Sequence, residues 1–308
     1  MNRIRSYQGT KIQRILLVSQ VKPFLFTVLA ASFLSGFPNL VTAGMTYVAV
    51  STYDEHRSGH RDEERQIDKR AGMGAAVYQG VFRIEIKAWV QGRNSRMDIM
   101  QSDDGTIPEG GSLVSNNAGE SFFYLNPRNK TYTEWDFSKA NEQLGKLGES
   151  INKLFKQKVG EVGIEQLEKK SGGEIAGYQT TYYRYRSAYE TTAKIFGKSN
   201  QSKTIIDDEL WFTEAAGDVA MLTWIKRRQP GVGDKESNEK INTRLNALPG
   251  LPLRIRTATR FTDKTGHETV YYSTLDVSEM NMEPVSSDTF EIPKDYRKTS
   301  MFKALMKP

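Results

Sequence analysis

The sequence feature that most constrains the fold is the alternation of apolar and polar residues over Val81–Val90, which reads VFRIEIKAWV. The even-numbered positions are all apolar, and the odd-numbered positions between them are mostly charged. Successive side chains of an extended strand point to opposite faces, so this period of two predicts a half-buried antiparallel strand. Leu253–Phe261 alternates in the same way and predicts a second strand of this kind.

Turn residues divide further segments into strands. Asn126–Lys130 contains an Asn-Pro pair between two stretches rich in Thr, Tyr and aromatic residues, Ser121–Leu125 and Thr131–Trp135, which predicts a β-hairpin. Gly92-Arg93-Asn94 is expected to join the first strand to a neighbour at Arg96–Met100. Additional strands are predicted at Thr46–Tyr53, Tyr178–Ser187, Thr204–Thr213 and Thr269–Val277.

Two segments lack the period of two. Residues 137–170 show the three- and four-residue spacing of an amphipathic helix at Leu144, Leu147, Ile151, Leu154 and Phe155. Residues 215–248 show a similar spacing on both sides of a Pro-Gly pair. We therefore predict an α+β fold, in which helical insertions cover one face of a strongly curved antiparallel sheet.

The first 43 residues have the pattern of a secretory signal peptide. Five cations and no acid precede or flank an apolar stretch, Phe24–Phe37, which is too short to span a bilayer, and Val41-Thr42-Ala43 forms a small-residue cleavage site. An uncleaved N-terminal anchor is the alternative. The net charge of +6 falls to +1 without this leader, so the remainder lacks the basic excess of a nucleic-acid-binding protein.

The expected organisation has four parts. A signal peptide at 1–43 precedes a first strand and charged connection at 44–74, a single β-rich domain at 75–301 and a tail at 302–308. The chain contains no cysteine, which excludes disulfides, thiolate metal sites and a lipid-modified N-terminal cysteine. Because a cleaved signal peptide is expected and a lipid anchor on cysteine is excluded, the predicted location is the periplasm, with secretion as the second choice.

One metal-binding pattern is present in the charged connection. His56, His60 and Glu63 or Glu64 would share one face if this run were helical, and such ligands suit zinc. Gly59 lies inside the run, and no apolar residues surround it, so we interpret the segment as solvated charges and predict no metal and no cofactor.

The sequence contains fragments of two catalytic patterns. Ser150 and Lys153, with Lys264-Thr265-Gly266 and Ser115-Asn116-Asn117, resemble fragments of a penicillin-binding serine-enzyme signature, but the third element precedes the serine. Asp207 and Asp208 point to opposite faces of a predicted strand and cannot flank one glycosidic bond, so we interpret them as solubilising charges on an edge strand. No glycine-rich phosphate loop is present. We therefore predict a protein that is not an enzyme.

The remaining indication of function is the high content of aromatic and methionine residues. With 14 Tyr, 14 Phe and 10 Met residues, a curved sheet would present a wide apolar face. Either the helical insertions fill this face as a core, or they leave a hydrophobic cavity. In the second case the alternation predicts a ligand-binding lining of Phe82, Ile84, Ile86, Leu253, Ile255 and Phe261.

The order of these elements resembles the periplasmic lipoprotein-carrier (LolA/LolB-like) superfamily, and most closely its uncharacterised secreted relatives. The resemblance covers roughly residues 75–301 and is carried by five stretches: Lys87–Asp98, Tyr124–Trp135, Glu174–Thr180, Trp211-Phe212 and Asp288–Tyr296. It implies an unclosed β-barrel with a helical lid over an apolar cavity that holds acyl chains. It also implies that Arg93 helps to hold the lid.

The resulting functional expectation is a monomeric carrier in the cell envelope. Its partners would be a hydrophobic ligand or lipoprotein acyl chain, together with envelope proteins, and nucleic acid is not expected. The alternatives are a structural or protein-binding envelope module with a filled core and, second, a serine-hydrolase-type enzyme.

Overall fold

The computed structural model describes residues 44–57, 82–103, 109–116, 121–136, 158–195, 198–215 and 248–299, together with Lys240 and Thr243. These residues form thirteen strands of one sheet. The strands of the first half are β1 Met45–Arg57, β2 Phe82–Gln91, β3 Asn94–Ser102, β4 Ser112–Ser115, β5 Ser121–Asn126 and β6 Thr131–Asp136. Those of the second half are β7 Lys158–Val159, β8 Gly163–Ile175, β9 Tyr178–Ile195, β10 Lys198–Thr213, β11 Leu251–Asp263, β12 Glu268–Asn281 and β13 Arg297–Lys298.

The strand order is β13-β6-β5-β4-β3-β2-β1-β12-β11-β10-β9-β7, and β8 also pairs with β9. Neighbouring strands are antiparallel except for β13, which pairs with β6 in parallel. The described ends of the sheet, at β13 and at β7 and β8, do not pair with each other, so the sheet is unclosed. β1 lies between β2 and β12 and joins the two halves of the sheet.

The expectation of helical insertions in an α+β fold is wrong, because the described part of the chain is almost entirely β. Residues 163–175, which overlap the first predicted helix, form β8, which pairs with β9 in antiparallel orientation. Residues 137–157 of that helix lie outside the described residues, and only four positions of 215–248 are described. A 3-10 turn, Ser287–Phe290, lies between β12 and β13.

The two predicted hairpins are confirmed. β2 and β3 pair around a turn in which Gly92 has a φ of 58°, a left-handed value that glycine adopts at little cost. β5 and β6 pair around Asn126–Lys130, with the Asn126 side chain accepting a hydrogen bond from the Arg128 N–H. The predicted turn before β12 is also present, where the Asp263 carboxylate accepts hydrogen bonds from the Thr265 and His267 N–H groups.

A core cluster of apolar side chains lies mainly on one face of the sheet, here called the inner face. Its buried members come from strands as distant in the sheet as β5 and β8: Met45, Tyr47, Ala49, Ile84, Ile86, Ala88, Val90, Met97, Ile99, Leu113, Phe122, Ile175, Leu251, Leu253 and Val277. The pairings β1–β12, β10–β11 and β2–β3 each contain a register shift, and β-bulges of this kind increase the local twist of a sheet.

The C-terminal segment crosses the opposite, outer face. Phe290, which is 2% exposed, packs with Val114 and Leu125 on that face. Arg96 on β3 donates a hydrogen bond of 3.1 Å to the Thr289 carbonyl oxygen and also pairs with Asp98. β13 then adds to β6, so the last described residues are fixed to the sheet by backbone and side-chain contacts.

Candidate functional site

Of the six predicted lining residues, the five whose side chains the structure describes lie on the inner face, and four of these are buried. Ile84 is 1% exposed and Leu253 is fully buried, and both belong to the core cluster with Ile86. Ile255 is buried in an adjoining cluster, and Phe261 is half-buried near the end of β11. The structure therefore brings the lining residues to one face, and the protein's own side chains cover most of it.

The structure says less about the predicted roles of Phe82 and Arg93. Phe82 is the first residue of β2, and its side chain lies outside the described part of the structure. Arg93 is exposed in the turn between β2 and β3. The chain segments that were expected to form the lid lie mainly outside the described residues, so the lid-holding role of Arg93 stays a prediction.

Beyond the packed core, the inner face continues as a half-buried surface. Strand registry aligns Ile206 on β10 with Thr259 on β11 and Tyr271 on β12. Each of these three side chains is half-buried, as is Phe261 one step further along β11. The Tyr271 ring stacks on the Tyr53 ring with centroids 6.0 Å apart. We call these five side chains the aromatic end of the inner face.

A row of polar side chains separates the core from the aromatic end. Asp208 is 3% exposed and accepts a hydrogen bond of 2.7 Å from the Thr257 hydroxyl on β11. On its other side lies Tyr185, whose hydroxyl donates a hydrogen bond of 2.8 Å to the Gln166 side chain. A buried carboxylate is stable only when hydrogen-bonded or paired, so this row is a built polar element in an otherwise apolar face.

The sequence interpretation of Asp207 and Asp208 is corrected in part. The two side chains do point to opposite faces, as the strand period requires, but β10 is an interior strand between β9 and β11. Asp207 lies on the outer face and pairs with Arg186 and Arg260 at 2.7 and 2.8 Å. Burial alone would raise the pKa of Asp207, but hydrogen bonds from these two arginines outweigh burial and hold it below its usual value.

Tyr124 is half-buried, and its hydroxyl is the one buried side-chain N or O atom among the described residues that has no hydrogen-bond partner. Its ring packs against the core cluster, opposite Leu113 on β4 and Thr133 on β6. Burial raises the pKa of Tyr124 to about 12, although nearby Arg128 lowers it slightly. Leaving a buried hydroxyl unpaired costs about 1–3 kcal/mol. Sequence analysis missed this residue, although the alternation of β5 places Tyr124 on the same face as buried Phe122.

The outer face of β9, β10 and β11 carries an aromatic and cationic group near the core cluster. The guanidinium carbons of Arg254 and Arg256 each lie 5.6 Å from the centre of the Trp211 ring, and Tyr182 packs on the same ring at 4.9 Å. Arg254 also pairs with Asp276. These contacts cover Trp211 with protein groups, so the ring stabilises the outer face of the sheet.

The described residues do not assemble the other catalytic and metal-binding patterns of the sequence into a site. Lys264-Thr265-Gly266 forms the predicted turn between β11 and β12, while Ser150, Lys153, His60, Glu63 and Glu64 lie outside the described residues. Among the residues that the structure describes, no group of three or more His, Cys, Asp or Glu side chains is placed to hold a metal ion. No helix within the described ranges has the length and apolar character needed to cross a membrane.

Comparison with known protein families finds one match, which covers the central region of the chain. A family model described as "Domain of unknown function (DUF4412)" matches residues 76–296. The chain is a member of the DUF4412 family. The DUF4412 match begins after β1, although β1 is an interior strand of the sheet. No curated protein and no solved structure matches the chain.

Proposed function

We propose that this DUF4412 protein is a non-enzymatic carrier that binds a lipid, a lipoprotein acyl chain or another hydrophobic molecule on the inner face of its sheet. The observation that carries the proposal is the aromatic end. There the apolar face of β10, β11 and β12 continues past the packed core and stays half-buried at Ile206, Phe261 and Tyr271. Apolar surface that a chain leaves partly uncovered is typical of ligand-binding sites.

The unclosed sheet supports the resemblance to periplasmic lipoprotein carriers. A sheet whose ends do not pair has an inner face that is not sealed by closure, and a carrier needs this access. The helical lid implied by the resemblance is not part of the proposal. The ligand contacts are assigned to side chains of the sheet itself, with Tyr53 and Phe261 at the accessible end and Leu253 at the buried end.

We place the protein in the periplasm, exported through a cleaved leader. All thirteen strands begin at or after Met45, so the described sheet needs no residue of the predicted signal peptide. Gly44, the predicted first mature residue, is buried against the backbone of Glu283 and Val285. N-terminal sequencing of exported protein tests this placement. A mature chain that still begins at Met1 would contradict it.

A second function is favoured by a specific observation. Ile84 and Leu253 are almost completely buried by the chain itself, as expected for a structural or protein-binding envelope module with a filled core. The two functions differ in what the purified protein holds. A carrier retains or binds apolar small molecules, whereas a module with a filled core does not.

The deciding experiment is solvent extraction and mass spectrometry of the purified protein, followed by titration with 1-anilinonaphthalene-8-sulfonate. Phe261→Glu places a charge in the aromatic end, and we expect at least tenfold weaker dye binding because apolar contact is lost and the carboxylate resists burial. The matched control is Tyr272→Glu, on the outer face of the adjacent strand, where the side chain is 42% exposed. Protein that carries no lipid and binds no dye would overturn the carrier function.

A further inference from the structure

The unpaired hydroxyl of Tyr124 lies in surroundings that offer it no partner. The core cluster consists, among its described members, of apolar and tyrosine side chains, and none of them is charged. Buried polar groups are usually hydrogen-bonded, so a hydroxyl without a partner among the described residues needs an explanation, and an acceptor atom of a ligand would supply one. Burial raises the pKa of Tyr124 to about 12, so the phenol keeps its proton at neutral pH and acts as a donor.

The cluster beside Tyr124 has side chains that can repack. Met45 and Met97 are fully buried in it, and Met280 and Met282 pack against it. Met97 lies in register with Leu113, which is itself in register with Tyr124. Methionine is unbranched and flexible, and apolar surfaces rich in methionine adapt to ligands of different shape. These residues can therefore open room for an apolar chain next to the hydroxyl.

We infer that Tyr124 Oη donates a hydrogen bond to the carbonyl oxygen of an acyl ligand whose chain lies among the methionines of the core cluster. The inference rests on the proposed carrier function and adds the chemical class of the ligand. A neutral ester or amide carbonyl can accept this hydrogen bond without placing a charge among the apolar members of the cluster. A plain hydrocarbon would leave the hydroxyl unpaired.

The test compares the binding of a long-chain methyl ester with that of an n-alkane of the same size, measured directly by native mass spectrometry of the purified protein, because a dye bound near Phe261 on β11 need not respond to a ligand beside Tyr124 on β5. Wild type is expected to bind methyl dodecanoate about tenfold more tightly than the alkane, the factor that one hydrogen bond to a buried donor supplies. Tyr124→Phe is expected to bind both probes equally. The control, Tyr132→Phe, removes a hydroxyl from the outer-facing side chain of the adjacent strand and should keep the preference.

Thermal unfolding gives a second readout. Methyl dodecanoate should raise the Tm of wild type and of Tyr132→Phe more than that of Tyr124→Phe, because tighter binding to the folded state stabilises it more. A preference for the ester that survives in Tyr124→Phe, or is absent from wild type, overturns the inference and leaves the carrier function standing. Binding of neither probe by wild type overturns the carrier function itself.

Discussion

Thr257 and Asp208 face each other across β11 and β10, and the Thr257 hydroxyl donates a hydrogen bond of 2.7 Å to the Asp208 carboxylate. Both residues are buried on the inner face. The pair shows that this face combines a polar row with apolar surface on either side. Its contribution to stability can be measured separately from ligand binding.

Thr257→Val should lower the free energy of unfolding by about 1–3 kcal/mol, because the valine keeps the shape but removes a donor from a buried carboxylate. Urea denaturation monitored by tryptophan fluorescence measures the change. The control is Thr259→Val, at the next inner-facing position of the same strand, where the side chain is half-buried. Equal effects of the two substitutions would show that the hydrogen bond to Asp208 contributes nothing specific.

Asp207→Asn should destabilise the protein at neutral pH and lose this effect in acid. The folded-state pKa of Asp207 lies below its usual value, so its ion pairs stabilise the fold above an unfolded-state pKa of about 3.9 and lose this contribution as the pH falls through the lower folded-state pKa. Urea unfolding at pH 7 and at successively lower pH values measures the difference between variant and wild type.

The control for Asp207 is Asp295→Asn, which breaks an exposed ion pair with Lys130. Exposed ion pairs contribute little, so a small effect at every pH is expected. A destabilisation by Asp207→Asn that does not diminish in acid would contradict the role assigned to the arginine pairs.

Phe290→Ala should cost about 3–5 kcal/mol of stability, as is usual for a phenylalanine removed from a packed site. Phe290 holds the C-terminal segment against Val114 and Leu125 on the outer face. Ile292→Ala, at a half-buried neighbour in the same cluster, should cost less. Guanidinium denaturation of both variants tests the ranking, and a larger loss for Ile292→Ala would contradict it.

Removal of β1 should abolish cooperative folding, although β1 precedes the region that the family model matches. β1 supplies the backbone partners of both β2 and β12, and its Ala49 side chain belongs to the core cluster. Thermal unfolding of fragments 44–308 and 76–308 measures the difference. A cooperative transition in the shorter fragment at the same temperature would show that the two halves of the sheet pair without β1.

Local patterns predicted the hairpins well. The alternation of Val81–Val90 and the turns at Gly92 and Asn126–Lys130 specified β2, β3, β5 and β6, because a hairpin depends on residues close in the chain. The same alternation placed the predicted lining residues on one face. The alternation could not predict that Leu253 is fully buried and Phe261 only half-buried, because the burial of a side chain depends on neighbours from other strands.

β8 shows why a helix was predicted where a strand forms. Gly163–Ile175 lies beside β9 and is exposed on most of both its faces, so its sequence needs no period of two. The apolar spacing that predicted the helix lies before residue 158, whereas Glu165, Glu168 and Lys169 within β8 suit an outlying strand that must avoid aggregation. The sequence analysis placed Asp207 on an edge strand, although β10 is an interior strand, because the local alternation of residues does not reveal the order of strands in the sheet.

The sequence alone determined which side chains share a face and where the chain turns, because both follow from the geometry of a few successive residues. Only the tertiary structure decided the strand order, the central place of β1 and the unpaired state of the Tyr124 hydroxyl. These depend on contacts such as Ala49 with Val277, which are distant in the chain and become neighbours only when the whole sheet forms.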